Sequence, residues 1–93
     1  MEVGVQEEEY FMQLSQPQAA ALTRALKVLT HGHSNRFEDE LWLGFGDDWW
    51  PLRERLLKGA YVRSLGGVRD ELTVTERGEN LLTQLQGKQR AAG

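Results

Sequence analysis

The sequence predicts an α+β domain in which a three-helix core is closed by a two-stranded β-hairpin and a C-terminal helix. Two strand-like runs, 61–65 and 68–72, flank the pair Gly66-Gly67. Adjacent glycines suit the positive φ angles of a tight hairpin turn. Immediately downstream, Thr73-Val74-Thr75-Glu76 has the spacing of a capping box, ahead of a helix carrying Leu81, Leu82 and Leu85. Upstream, apolar residues recur at helical spacing in three segments punctuated by glycine.

Taken in order, residues 1–14 form an acidic arm in which Glu7-Glu8-Glu9 adjoins Val3, Val5, Tyr10, Phe11 and Leu14. Both a frayed arm and a segment packed on the body or a partner fit this mixture. Ser15-Gln16-Pro17-Gln18 reads as a helix start, with serine as cap and proline in the first turn. Leu22, Ala25, Leu26 and Leu29 make that helix's inward stripe, and Gly32 its stop. Asn35 is the expected cap of a second helix, with Phe37, Leu41 and Trp42 on its inner side and Gly44-Phe45-Gly46 as its break. Asp47 or Asp48 is expected to cap a third helix, with Pro51 in its tolerant first turn. Trp49, Leu52 and Leu56 face inward there, leaving Trp50, Arg53, Glu54 and Leu57 for the outer side. Centring the hairpin on Gly66-Gly67 pairs Tyr61 with Leu72, Arg63 with Asp70 and Leu65 with Val68. The domain is thus expected over residues 15–87, with 88–93 as a loose tail.

Ninety-three residues suffice for one modest core. Cysteine is absent, which excludes disulfides and thiolate metal sites. No apolar run reaches membrane-spanning length, and the acidic start has the wrong charge for a signal peptide, so a cytoplasmic protein without membrane contact is expected. The formal net charge is −3, unusual for a nucleic-acid binder. Its distribution is uneven. Residues 1–48 carry three basic side chains against nine acidic ones, whereas residues 49–93 carry eight against five. The hairpin half is therefore the basic half, as a nucleic-acid contact requires.

These elements resemble winged helix-turn-helix proteins, particularly the DNA-binding domains of MarR- and PadR-type regulators. The run Leu56-Leu57-Lys58-Gly59-Ala60-Tyr61-Val62 is similar to the passage from recognition helix to first wing strand, with Ala60 where those families usually carry glycine. The run Leu72-Thr73-Val74-Thr75-Glu76-Arg77-Gly78, followed by Leu81-Leu82, is similar to the end of the second wing strand and the helix after it. The likeness covers residues 35–85. It implies a small transcriptional regulator that binds double-stranded DNA, with the third helix in the major groove and the Gly66-Gly67 tip at backbone or minor groove. It also implies a homodimer, for which the apolar residues of the arm and last helix are the expected contact.

On that reading Arg53, Arg55 and Lys58 of the third helix and Arg63 and Arg69 of the wing are the DNA-binding candidates. Two features depart from the pattern. The third helix opens with Asp47-Asp48-Trp49-Trp50, where DNA-reading helices place small polar or basic residues. The wing's arginines are followed at once by Asp70 and Glu71. The acidic start of the third helix, Trp49-Trp50 and the sequence pI of 5.3 favour the alternative, a winged-helix protein-interaction module such as an adaptor subunit or a phage-type inhibitor of a host enzyme. In it Trp50 and Leu57 are the partner-binding candidates.

His31 and His33 around Gly32 lack the cysteines or second cluster of a metal centre, and histidine at a negative helix terminus is favourable in itself. No metal or cofactor is expected. The carboxylate runs Glu7-Glu8-Glu9 and Glu38-Asp39-Glu40 have no nucleophile or histidine placed with them, and no phosphate-loop motif occurs, so an enzyme is not expected.

Overall fold

A computed structural model describes residues 9–68 and 71–92 of the chain, with side chains to residue 89. Arg69 and Asp70 lie outside the described residues, as do residues 1–8 of the acidic arm. The order is α1 (Gln16–Thr30), a 3₁₀ turn (Ser34–Arg36), α2 (Phe37–Phe45), a second 3₁₀ turn (Gly46–Asp48), α3 (Trp49–Lys58), β1 (Val62–Gly66), β2 (Glu71–Val74) and α4 (Glu76–Ala92). The architecture is α+β, with α1–α4 packed around one antiparallel hairpin. Among the described residues no helix is long and apolar enough to cross a membrane.

The start of α1 follows its capping chemistry. Ser15 Oγ accepts the Gln18 N–H at 3.4 Å, Pro17 occupies the first turn, and Leu22, Ala25, Leu26 and Leu29 are buried. The next two helices begin differently from expectation. Neither Asn35 nor Asp48 makes a side-chain cap, and each helix instead grows out of a 3₁₀ turn whose i→i+3 bonds occupy part of the first free amides. Gly44 does not break α2. It lies inside the helix against Ala21 of α1, and the break falls at Gly46.

The hairpin register corrects the expected one. Val62 pairs with Val74, Arg63 with Thr73 and Ser64 with Leu72; an irregularity then brings Gly66 opposite Glu71. The physical reason sits at the closed end rather than at the tip. Thr75 donates its N–H to the Tyr61 carbonyl at 3.1 Å, and its hydroxyl donates to the Ala60 carbonyl with Tyr61 O also at 3.1 Å. These bonds hold the strand ends together and set the register from that end. Gly66 and Gly67 do adopt positive φ, +77° and +84°. Val62, Leu72 and Val74 then share the core face, while Leu65 and Val68 stay exposed.

Thr75 also replaces Thr73 as the cap of α4, accepting the Gly78 N–H at 3.1 Å. Thr73 and Val74 are still needed in β2, so the helix begins two residues later than the capping-box spacing suggests. Gly78 abuts the Tyr61 carbonyl so closely that a Cβ there would lie 2.0 Å from the oxygen.

At the far end α4 runs through Gly87 to Ala92 instead of loosening into a tail. Gln89 Nε2 donates to Ala19 O at 3.1 Å and to Thr23 Oγ1 at 2.6 Å. Lys88 Nζ donates to the carbonyls of Met12 and Leu14. Residues 9–12 are helical, and Phe11 packs edge-on against Tyr61 with centroids 5.1 Å apart. Phe11, Leu81 and Leu85, expected at a dimer contact, are thus buried within the chain.

Candidate functional site

The corner between α2 and α3 gathers most of the chain's unusual side chains. Residues 37–52 contain all three tryptophans and five carboxylates (Glu38, Asp39, Glu40, Asp47, Asp48), with no lysine or arginine. Phe37, Leu41 and Phe45 form the buried stripe of α2. Helical geometry then turns Asp39, Trp42 and Leu43 away from the core. Trp42 is 56 % exposed and Leu43 68 %, which corrects the inward placement expected for Trp42. Trp42 follows Asp39 by three positions and Glu38 by four, so the three residues share one side of α2.

Arg53 ties this face to α3. It stands on the flank of the Leu52–Leu56 stripe and turns toward α2 rather than outward, and only 8 % of it is exposed. Its Nε donates to Glu38 Oε2 at 2.9 Å and its Nη1 to Glu54 Oε2 at 3.3 Å. The guanidinium carbon also lies 5.1 Å from the Trp50 ring centroid. Glu38, Arg53 and Trp50 are therefore consecutive neighbours, and Trp42 stands one helical turn beyond Glu38 on α2. Trp50 is 51 % exposed and meets half-buried Trp49 edge-on at 5.4 Å. Asp47 and Asp48, both exposed, lead directly into the two indoles.

The other candidates are dispersed. Arg55 stacks over the Tyr10 ring at 4.0 Å, so it fastens residues 9–12 to α3. Lys58 and Arg63 are exposed. An open cleft of ≈ 380 Å³ on α3 is lined by Pro51, Glu54, Arg55 and Lys58, so a carboxylate shares it with two cations. Leu57, expected on the outer side, is half-buried and packs against the core. At the end of α1, His31 Nδ1 donates to the Lys27 carbonyl at 2.8 Å, and no cluster of three metal-ligating side chains occurs among the described residues.

Chemically, the corner suits recognition rather than phosphate binding. A phosphate approaching Arg53 has to displace two carboxylates that already satisfy a nearly buried guanidinium. Two half-exposed indoles beside carboxylates instead offer large apolar contacts with a polar rim. Residue reasoning missed Trp42 and Leu43, although the Phe37-Leu41-Phe45 spacing places Leu43 opposite the core and Trp42 on its flank. Nothing local signalled Glu38, fifteen residues from its partner.

No protein-family model matches the sequence, and neither a curated protein nor a solved structure is significantly similar to the chain.

Proposed function

We propose that this chain is a protein-interaction module on a winged-helix scaffold, docking through the corner of α2 and α3. The scaffold reading is supported by the order of three helices, hairpin and closing helix. It is also supported by Ala60, which takes φ +64° at the position where MarR- and PadR-type domains usually carry glycine. The observation that carries the functional reading is the state of Arg53. The cation best placed by sequence to meet DNA is held by Glu38 and Glu54, while Trp50 beside it and Trp42, one turn beyond Glu38, remain half-exposed. Exposed tryptophans are costly to leave in water and are the commonest anchors of protein interfaces.

A second reading, a DNA-binding regulator, rests on Lys58 and Arg63, which are exposed on α3 and β1. Affinity capture from nuclease-treated lysate, with a parallel titration of labelled duplex at low salt, separates the two. The module reading expects capture to survive nuclease and to be lost in Trp42→Ala/Trp50→Ala. Duplex binding that falls in Lys58→Ala/Arg63→Ala, with no nuclease-resistant partner, overturns it.

A further inference from the structure

We infer that the occupant of this corner is an extended cationic segment of a partner protein, whose guanidinium groups stack on Trp42 and Trp50 and pair with Asp39, Asp47 and Asp48. The inference rests on the docking role proposed above and adds the chemistry of the partner. Charge complementarity is its first support: the sixteen residues 37–52 carry carboxylates and no basic side chain. Arg53 comes from the next turn of α3 and is already paired with Glu38 and Glu54, and Arg24 of α1 pairs with Glu40 at 3.0 Å, so the exposed acids offered to the partner are Asp39, Asp47 and Asp48.

The second support is that the site displays the contact it would make. Arg53 sits 5.1 Å from the Trp50 centroid with a carboxylate at 2.9 Å, an arginine held by an indole and an acid together. Trp42 offers a second half-exposed indole, three and four positions after Asp39 and Glu38, a spacing that puts those carboxylates on its side of α2. A planar guanidinium fits such a pocket better than an ammonium, because it stacks and donates in its plane at once. An extended segment is favoured over a folded surface because the two indoles lie on different helices, and alternate side chains of one strand-like peptide reach successive anchors.

The test is a titration of the intact protein with a labelled peptide of alternating arginine and glycine. Its lysine counterpart and an acidic peptide serve as controls, and binding is read by anisotropy and indole fluorescence. Saturable binding is expected, tighter for arginine than for lysine. Trp42→Ala and Trp50→Ala are each expected to weaken it about five- to tenfold. Asp47→Asn/Asp48→Asn is expected to weaken it by a similar factor and to flatten its salt dependence, whereas Glu76→Gln/Glu79→Gln on α4 changes it less than about twofold. Circular dichroism verifies that each variant is folded, and Trp50→Phe is expected to retain part of the affinity. Absence of binding, equal loss in the α4 control, or full binding by the tryptophan variants overturns the proposal. Self-association of the protein that is abolished by Asp47→Asn/Asp48→Asn also overturns it, by making a second copy the occupant. Should the peptide fail while nuclease-resistant capture still depends on Trp50, only the partner's chemistry is wrong; duplex binding through Lys58 and Arg63 removes the docking role itself.

Discussion

Tyr61 and Thr75 are joined twice, the N–H and the hydroxyl of Thr75 each lying 3.1 Å from the Tyr61 carbonyl oxygen. The same hydroxyl caps α4 by accepting from Gly78. One side chain therefore sets the hairpin register and starts the closing helix. Thr75→Val keeps the β-branched shape and the N–H bond but removes the hydroxyl's bonds to Ala60 O, Tyr61 O and the Gly78 N–H, and is expected to cost about 1–2 kcal/mol in urea unfolding. Thr73→Val, at the position the capping-box spacing favoured, is expected to stay within about 0.5 kcal/mol of wild type.

Gly78 and Gly87 lie in one helix and make opposite predictions. A methyl at Gly78 meets the Tyr61 carbonyl, so Gly78→Ala is expected to lose about 2–3 kcal/mol as α4 is pushed off the hairpin. Gly87 has nothing within 4 Å of an added Cβ, and Gly87→Ala is expected to gain about 0.5–1 kcal/mol from reduced unfolded-state freedom. Thermal melts of the two variants make the comparison.

Ala60 holds a left-handed conformation that L-residues adopt at a cost of about 1 kcal/mol or more. Ala60→Gly is expected to raise stability by about 0.5–1 kcal/mol after glycine's own entropic cost is deducted. A drop in melting temperature instead would show that the residue's methyl contributes more than its backbone loses.

The Arg53 cluster predicts a particular hierarchy. Arg53→Met, which replaces the cation with a flexible apolar chain, is expected to stay within about 1 kcal/mol of wild type, because buried ion pairs repay little beyond their desolvation. Glu38→Ala/Glu54→Ala, which leaves the guanidinium nearly buried with fewer acceptors, is expected to cost about 1–2 kcal/mol more than Arg53→Met. Chemical denaturation of the three proteins gives the ranking.

The three indoles separate by exposure. Trp42→Ala and Trp50→Ala are expected to change stability by less than about 1 kcal/mol, whereas half-buried Trp49→Ala is expected to lose about 2–3 kcal/mol. Acrylamide quenching of single-tryptophan variants should rank Trp42 and Trp50 well above Trp49.

Local chemistry made the α+β plan legible. Ser15 capping α1, the Leu22-Ala25-Leu26-Leu29 stripe, and the left-handed glycines at the hairpin tip are properties of neighbouring residues, which periodicity and turn preferences report. The strand register was not legible, because it is settled by Thr75 reaching back fourteen residues to Tyr61. The same holds for the site. Trp50 was placed correctly from its own helix, but the inward turn of Arg53 depends on Glu38 in another helix. Leu57 was misplaced because the periodic stripe of α3 carries no record of how widely its neighbours cover it.

The reach of Lys88 to the carbonyl of Met12 spans 76 positions. With Gln89 anchored on α1, the last turns of α4 act as a latch over the earliest described segment. During synthesis, a nascent chain lacking these turns leaves Phe11 without the clamp that holds its helical turn beside Tyr61. Completion of the core is thereby postponed until the last turns of α4 have been synthesised, and the interval before it is when a chaperone or protease has access.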